Sequence, residues 1–150
     1  MMKILFVTNS AEMGGATNAL INLLPYLKQN SIEPFVTLQH LGLVSSLFES
    51  YNVKCYPINN RYDIYPPIKG WEIVKFPYRL IKYRIEEFYA YIKLCRVIEK
   101  IKPDIRHSNV GTIHIGYKAA KKYQITHVWH MREYQIEDFG IYPFLHIVTF

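Results

Sequence analysis

Short apolar runs alternate along this chain with stretches whose apolar residues recur at helical spacing, and that alternation restricts it to one class of fold. Residues 4–7 form the first run. Residues 9–15 are turn formers, after which Ala16, Leu20, Leu23 and Leu27 trace one face of a helix. A turn at 31–34 leads to a second run at 35–38, a helix is expected over 41–51 with Leu43, Leu47 and Phe48 inward, and 53–58 reads as a third strand. Strands too apolar to leave one face in water, joined by helices, argue for a mainly parallel sheet covered on both sides. The expected fold is therefore a Rossmann-like three-layer α/β/α sandwich with right-handed crossovers.

Residues 59–70 interrupt the rhythm, because Asn59, Asn60, Pro66, Pro67 and Gly70 oppose any long regular element, and a surface excursion is expected there. Residues 71–102 are helical in pattern, with an interruption at Pro77 and an inward face traced by Phe88, Ile92, Cys95 and Ile98; Pro103 stops them. A fourth strand over 104–107 ends at Ser108 and Asn109. A helix over 112–123 follows, with Ile113, Gly116, Ala119, Ala120 and Tyr123 buried, and then a fifth strand over 126–131.

At 150 residues the chain matches one domain, residues 1–150, large enough for a real core. Half of it is hydrophobic and 20% is charged, which argues against disorder, and no stretch approaches the ~18 apolar residues of a membrane span. The run after Lys3 is too short for a secretory signal, so cytoplasmic residence is the default expectation. Cys55 and Cys95 have no CxxC context and read as buried thiols. The net charge of +6 is concentrated: nine basic and four acidic residues lie between Lys69 and Lys102.

Gly14 and Gly15 sit at the entrance of the first helix. Residues without a Cβ can take positive φ and admit a ligand to the backbone, and the free amides and dipole there favour an anion. The pair is neither GxGxxG nor a P-loop, since Ala16 and Thr17 follow where a P-loop needs Lys and Ser or Thr. In open parallel sheets ligands bind beyond the carboxyl ends of the strands, where three segments would converge: 9–15, 108–111 and 130–133. There Arg132 can grip a phosphate or carboxylate bidentately, and Glu133 can orient a sugar hydroxyl or act as a base. His107, His127 and His130 fall in strands, where a hydrogen-bonded core role competes with a ligand role. No HExxH, His–Cys spacing or GxSxG is present, so neither a metal nor a serine nucleophile is expected.

Trp71, Phe76, Tyr78 and Tyr83 interleave with Lys75, Arg79, Lys82 and Arg84. This pattern fits a membrane-surface helix, a nucleic-acid surface or an ordinary solvated helix with its aromatics inward, and no nucleic-acid motif accompanies it. Lys75, Arg79, Lys82 and Arg84 are the membrane-facing candidates.

The stretches KILFVTNSAEMGGATNALINLLPYLK and KPDIRHSNVGTIHIGYKAAKKYQITHVWHMRE resemble, in order and at compatible spacing, segments of bacterial group 1 (family 4) glycosyltransferases of the two-domain GT-B fold, over residues 2 to 133. The resemblance implies the N-terminal half of a retaining enzyme. It would transfer a sugar from a nucleotide-sugar donor to a glycan or lipid-linked acceptor in cell-surface polysaccharide synthesis, without a required metal or other cofactor. Gly14 and Gly15, with Ser108 and Asn109, would bind substrate beside an interdomain cleft. Many relatives carry a His-Asp pair after the fifth strand, whereas this chain has Arg132 and Glu133 following His130, and those three are the catalytic candidates. The resemblance further implies a C-terminal donor-binding domain absent from these 150 residues, an inactive isolated chain, and peripheral contact with the inner face of the plasma membrane as an open expectation. A non-catalytic nucleotide- or ligand-binding Rossmann-like module is the alternative.

Overall fold

The computed structural model describes residues 1–8, 12–60, 71–109 and 114–131. The elements run β1 (Met2–Val7), α1 (Gly15–Gln29), β2 (Ile32–Leu38), α2 (Leu43–Ser50), β3 (Lys54–Pro57), α3 (Glu72–Ile101), β4 (Ile105–Ser108), α4 (His114–Tyr123) and β5 (Thr126–Trp129). All the strand pairs are parallel, in the order β3-β2-β1-β4-β5. The Rossmann-like sandwich expected from the alternation is the fold observed.

The central strand explains both layers. In β1, Ile4 and Phe6 point to one face and join Leu20, Ile21, Leu24 and Leu27 of α1 and Val44 and Phe48 of α2. Leu5 and Val7 point to the other and meet Ala90, Leu94, Cys95 and Ile98 of α3 and Ile115 and Ala119 of α4. A strand whose residues 4–7 are all apolar, with successive side chains on opposite faces, can satisfy itself only between two helical layers.

The Lys-Pro-Asp segment is a mechanical joint. Lys102 takes a left-handed φ of 53° and ends α3, Pro103 is buried, and Asp104 closes onto β1 through its N–H to Lys3 O at 2.9 Å and its carboxylate from Lys3 N–H at 2.7 Å.

Four expectations are corrected. Helix α3 is continuous through Pro77, which lies within its second turn. Proline there forfeits one ladder bond and strains against the carbonyl four residues back, a cost of about 3 kcal/mol that the cooperativity of a 30-residue helix absorbs. Phe88 faces outward at 59% exposure, because the buried face of α3 runs along Ala90, Leu94, Cys95, Ile98 and Ile101 and Phe88 lies about 110° round the helix from its centre. In α2, Phe48 is buried and Leu47 packs against the core as expected, but Leu43 is exposed at the first helical position and Val44 takes the inward place, one turn before Phe48. Cys95 is buried, but Cys55 is only half-buried; both are free thiols.

Candidate functional site

Strands β1 and β4 are neighbours whose connections lead to opposite faces, β1 into α1 and β4 into α4, which makes the carboxyl ends of this pair the topological switch point. Three side-chain systems fix its geometry. Thr8, buried after β1, donates its hydroxyl to Thr37 O at 2.8 Å and its N–H to Thr37 Oγ1 at 3.2 Å, which locks the end of β1 to β2. Asn109, buried after β4, donates its N–H to Val7 O at 3.1 Å and its Nδ2 to Ala16 O at 3.2 Å, so the fourth strand end is tied to the first turn of α1. His130 donates its N–H to Ser108 O at 2.9 Å and stays exposed just past β5. The imidazole of His130 meets that of His107 edge-on at 5.7 Å, and His107 rests on Phe6 at 5.1 Å.

Over this edge stands the start of α1. Gly14 is its N-cap in extended geometry, with φ −148° and ψ 176°; the helix has no side-chain cap and no acidic residue in its first turn. The positive φ expected of the glycine pair is not used, and a Cβ at Gly14 or Gly15 would meet nothing within 4 Å. Among the described residues, neither backbone conformation nor packing requires glycine here. The missing side chains leave room on the outer side of an uncapped helix end whose orphan amides favour an anion.

Ser108 lies on the opposite face of the sheet from His107. Its hydroxyl is fully buried and shares a hydrogen bond of 2.9 Å with His127 Nε2. Burial, with Arg106 and His107 adding to it, pushes His127 down to about 4, so its ring is neutral at physiological pH. Gly116 of α4 presses on this pair: a Cβ there would stand 2.2 Å from Ser108 Oγ. The structure therefore brings Gly14, Gly15, Asn109 and His130 to one edge, with Asn109 engaged as a brace, and places the Ser108 hydroxyl beneath α4. Arg132 and Glu133 lie outside the described residues. Among the described residues no cluster of three or more His, Cys, Asp or Glu could hold a metal ion.

The first half of α3 carries a second surface. Trp71, Val74, Tyr78, Ile81, Ile85 and Phe88 repeat at alternating steps of three and four and are all exposed, Trp71 at 87%. Lys75, Arg79 and Lys82 flank this stripe on one side and Arg84 on the other. Arg84 donates to Glu87 at 2.9 Å, and Glu87 also accepts from Lys118. Tyr83 is buried, so the outward stripe is more aliphatic than the aromatic residues of the sequence suggest. Its signal was the 3-4 repeat from 71 to 88, which continues into Ile92 and Cys95 and so imitates a core face.

No family model and no curated protein matches the chain. Solved structures do match. HepE of Anabaena, crystallised with UDP-glucose, superposes with a TM-score of 0.58 at 20% identity over 89% of this chain and 30% of its own length. MurG of Acinetobacter baumannii gives 0.58 at 16% identity over 87% of this chain and 35% of MurG. A Listeria monocytogenes protein assigned as a UDP-N-acetylglucosamine 2-epimerase gives 0.52 at 14% identity over 85% of this chain and 30% of its own length. The chain has the Rossmann-like fold found in GT-B glycosyltransferases. It spans about a third of the length of these neighbours, and the epimerase among them illustrates that one fold hosts several chemistries.

Proposed function

We propose that this chain is the N-terminal, acceptor-facing half of a retaining glycosyltransferase that moves a sugar from a nucleotide-sugar donor to a glycan or lipid-linked acceptor in cell-surface polysaccharide synthesis. The observation that carries the reading is the uncapped start of α1. Two glycines whose missing Cβ atoms would meet nothing among the described residues stand at the switch point, on the same sheet edge as the exposed His130. A donor phosphate is the anion this end of α1 suits, and HepE, of like fold, was solved with UDP-glucose. His130, followed by Arg132 and Glu133, would face the reacting sugar, the arginine as a bidentate anion clamp and the glutamate as base or hydroxyl acceptor. Retention, independence from metal and the polysaccharide role rest on the motif resemblance. A second, donor-binding domain would close the cleft.

The α3 stripe fits a peripheral contact with an anionic membrane, at the cytoplasmic face in this reading. Apolar side chains at 3-4 spacing would enter the headgroup boundary while Lys75, Arg79 and Lys82 meet lipid phosphates; Arg84, already paired with Glu87, would add less. No helix of the described residues is long and apolar enough to cross a membrane.

Calorimetric titration of the chain with UDP-, dTDP- and GDP-sugars, as wild type and as Gly15→Leu, tests the donor side. Weak binding, near millimolar, that Gly15→Leu removes is expected, and in an enzyme containing this chain the same substitution should lower kcat/KM by about 100-fold. Tight binding of free nucleotides, indifferent to Gly15→Leu, would support the alternative of a non-catalytic nucleotide-binding module.

A further inference from the structure

Arg106 is the largest side chain buried in the described structure. It is 0% exposed, and its Nε and both terminal nitrogens have no hydrogen-bond partner. The β4 alternation that turns Ile105 and His107 toward α1 turns Arg106 and Ser108 toward α3 and α4. A Cβ on Gly116, in the first turn of α4, would stand 3.5 Å from Arg106 Nη2, so the guanidinium packs directly beneath the positive end of that helix. The groups that face it are the Tyr91 phenol and Cys95 thiol of α3 and the neutral His127 of β5; among the described residues no carboxylate pairs with it.

Burial lowers Arg106 to about 10, which leaves it charged at physiological pH. A charged guanidinium with its donors unmet is among the costliest groups to bury, and the helix dipole above it adds to the cost instead of relieving it. An anion held against the guanidinium would offset both costs. Tyr91, whose phenol interacts electrostatically with Arg106, also lines an open cleft of about 310 Å³ between α3 and α4, edged by Arg84 and Lys118.

We infer that Arg106, under the first turn of α4, is an anion site for a phosphate group, distinct from the glycine end of α1. The two lie on opposite layers of the sheet: Asn109 serves α1, whereas Arg106 and Ser108 serve α4. The planar guanidinium offers a bidentate fork, the first-turn amides of a helix supply further donors, and a phosphate has oxygens enough for both. The inference does not depend on the proposed transfer reaction.

The test is thermal unfolding of the full chain in inorganic phosphate against chloride at equal ionic strength, for wild type, Arg106→Met, Arg106→Lys and Gly14→Leu. The expected result is a saturable rise in Tm with phosphate in wild type and in Gly14→Leu, an affinity at least tenfold weaker in Arg106→Lys, and no saturable rise in Arg106→Met. Non-specific salting by phosphate is not saturable and would be common to all four proteins. A wild-type response that Arg106→Met keeps overturns the site, as does the absence of a saturable response in wild type. Should Arg106→Met not fold, phosphorus NMR of inorganic phosphate with the wild-type chain decides: a resonance neither broadened nor shifted by protein overturns the inference.

Discussion

Each described helix is followed by a residue that would be easier as glycine. Ser31, Asn52, Lys102 and Gln124 take left-handed φ values of 53° to 56°, where a Cβ crowds the following carbonyl. Lys102 and Gln124 are exposed, so Lys102→Gly or Gln124→Gly removes that strain without opening a cavity. Allowing for the greater freedom of glycine in the unfolded chain, each should stabilise the protein by about 0.5 kcal/mol, read as a higher urea midpoint at unchanged m-value. Gly116 is the converse case. Its missing Cβ is what lets α4 approach Ser108, and Gly116→Ala must either turn the Ser108 hydroxyl away from His127 or push the helix back. A loss of about 1–3 kcal/mol in the same measurement is expected. His127 adds a pH signature. Its folded value of about 4 lies below the 6.5 of the free side chain, so between those pH values the unfolded chain binds more protons. Stability should be complete above pH 6.5, fall as pH drops towards 4, and fall less steeply in His127→Asn, which urea titrations across that range would show.

Two elements carry more than packing. Helix α1 supplies Leu20, Ile21, Leu24 and Leu27 to the core, and its first turn, tied to β4 by Asn109, presents open glycines at the sheet edge. Helix α3 divides along its length: its second half lies on the sheet and its first half shows an apolar stripe between basic flanks. Because Ile81 and Ile85 are 61% and 51% exposed, Ile81→Asp with Ile85→Asp should leave the melting temperature within a few degrees of wild type. The pair should abolish flotation with vesicles rich in anionic lipid, and Lys75→Glu with Lys82→Glu should weaken flotation more at low than at high salt. Flotation unchanged in both would remove the membrane from the account of α3.

At the scale of the whole molecule, topology decides where chemistry can occur. The order β3-β2-β1-β4-β5 puts the only reversal of direction between β1 and β4 among the described strands, and the residues that gather there come from sequence positions near 8, 15, 109 and 130. The alternation of apolar runs with helical spacings was enough to establish the parallel sandwich, because the central strand is apolar on both faces from Ile4 to Val7 and each described helix has one apolar side. It was also enough to bring the glycine pair and His130 to one edge, since strand ends in such sheets share an edge. It did not separate the two faces of β4. His107 and Ser108 are adjacent in sequence, yet one joins the His130 column and the other is sealed beneath α4, and the choice depends on which helix layer covers each face. The same ignorance hid Arg106: a lone arginine in a short strand carries no mark of burial until the sheet and two helices close over it. Phe88 erred in the opposite direction, for its 3-4 spacing is that of a core face, yet the face that meets the sheet is the one carrying Ala90, Leu94 and Ile98. Local spacing determines which faces of an element are apolar; what covers those faces is decided by long-range packing, which only the tertiary structure contains.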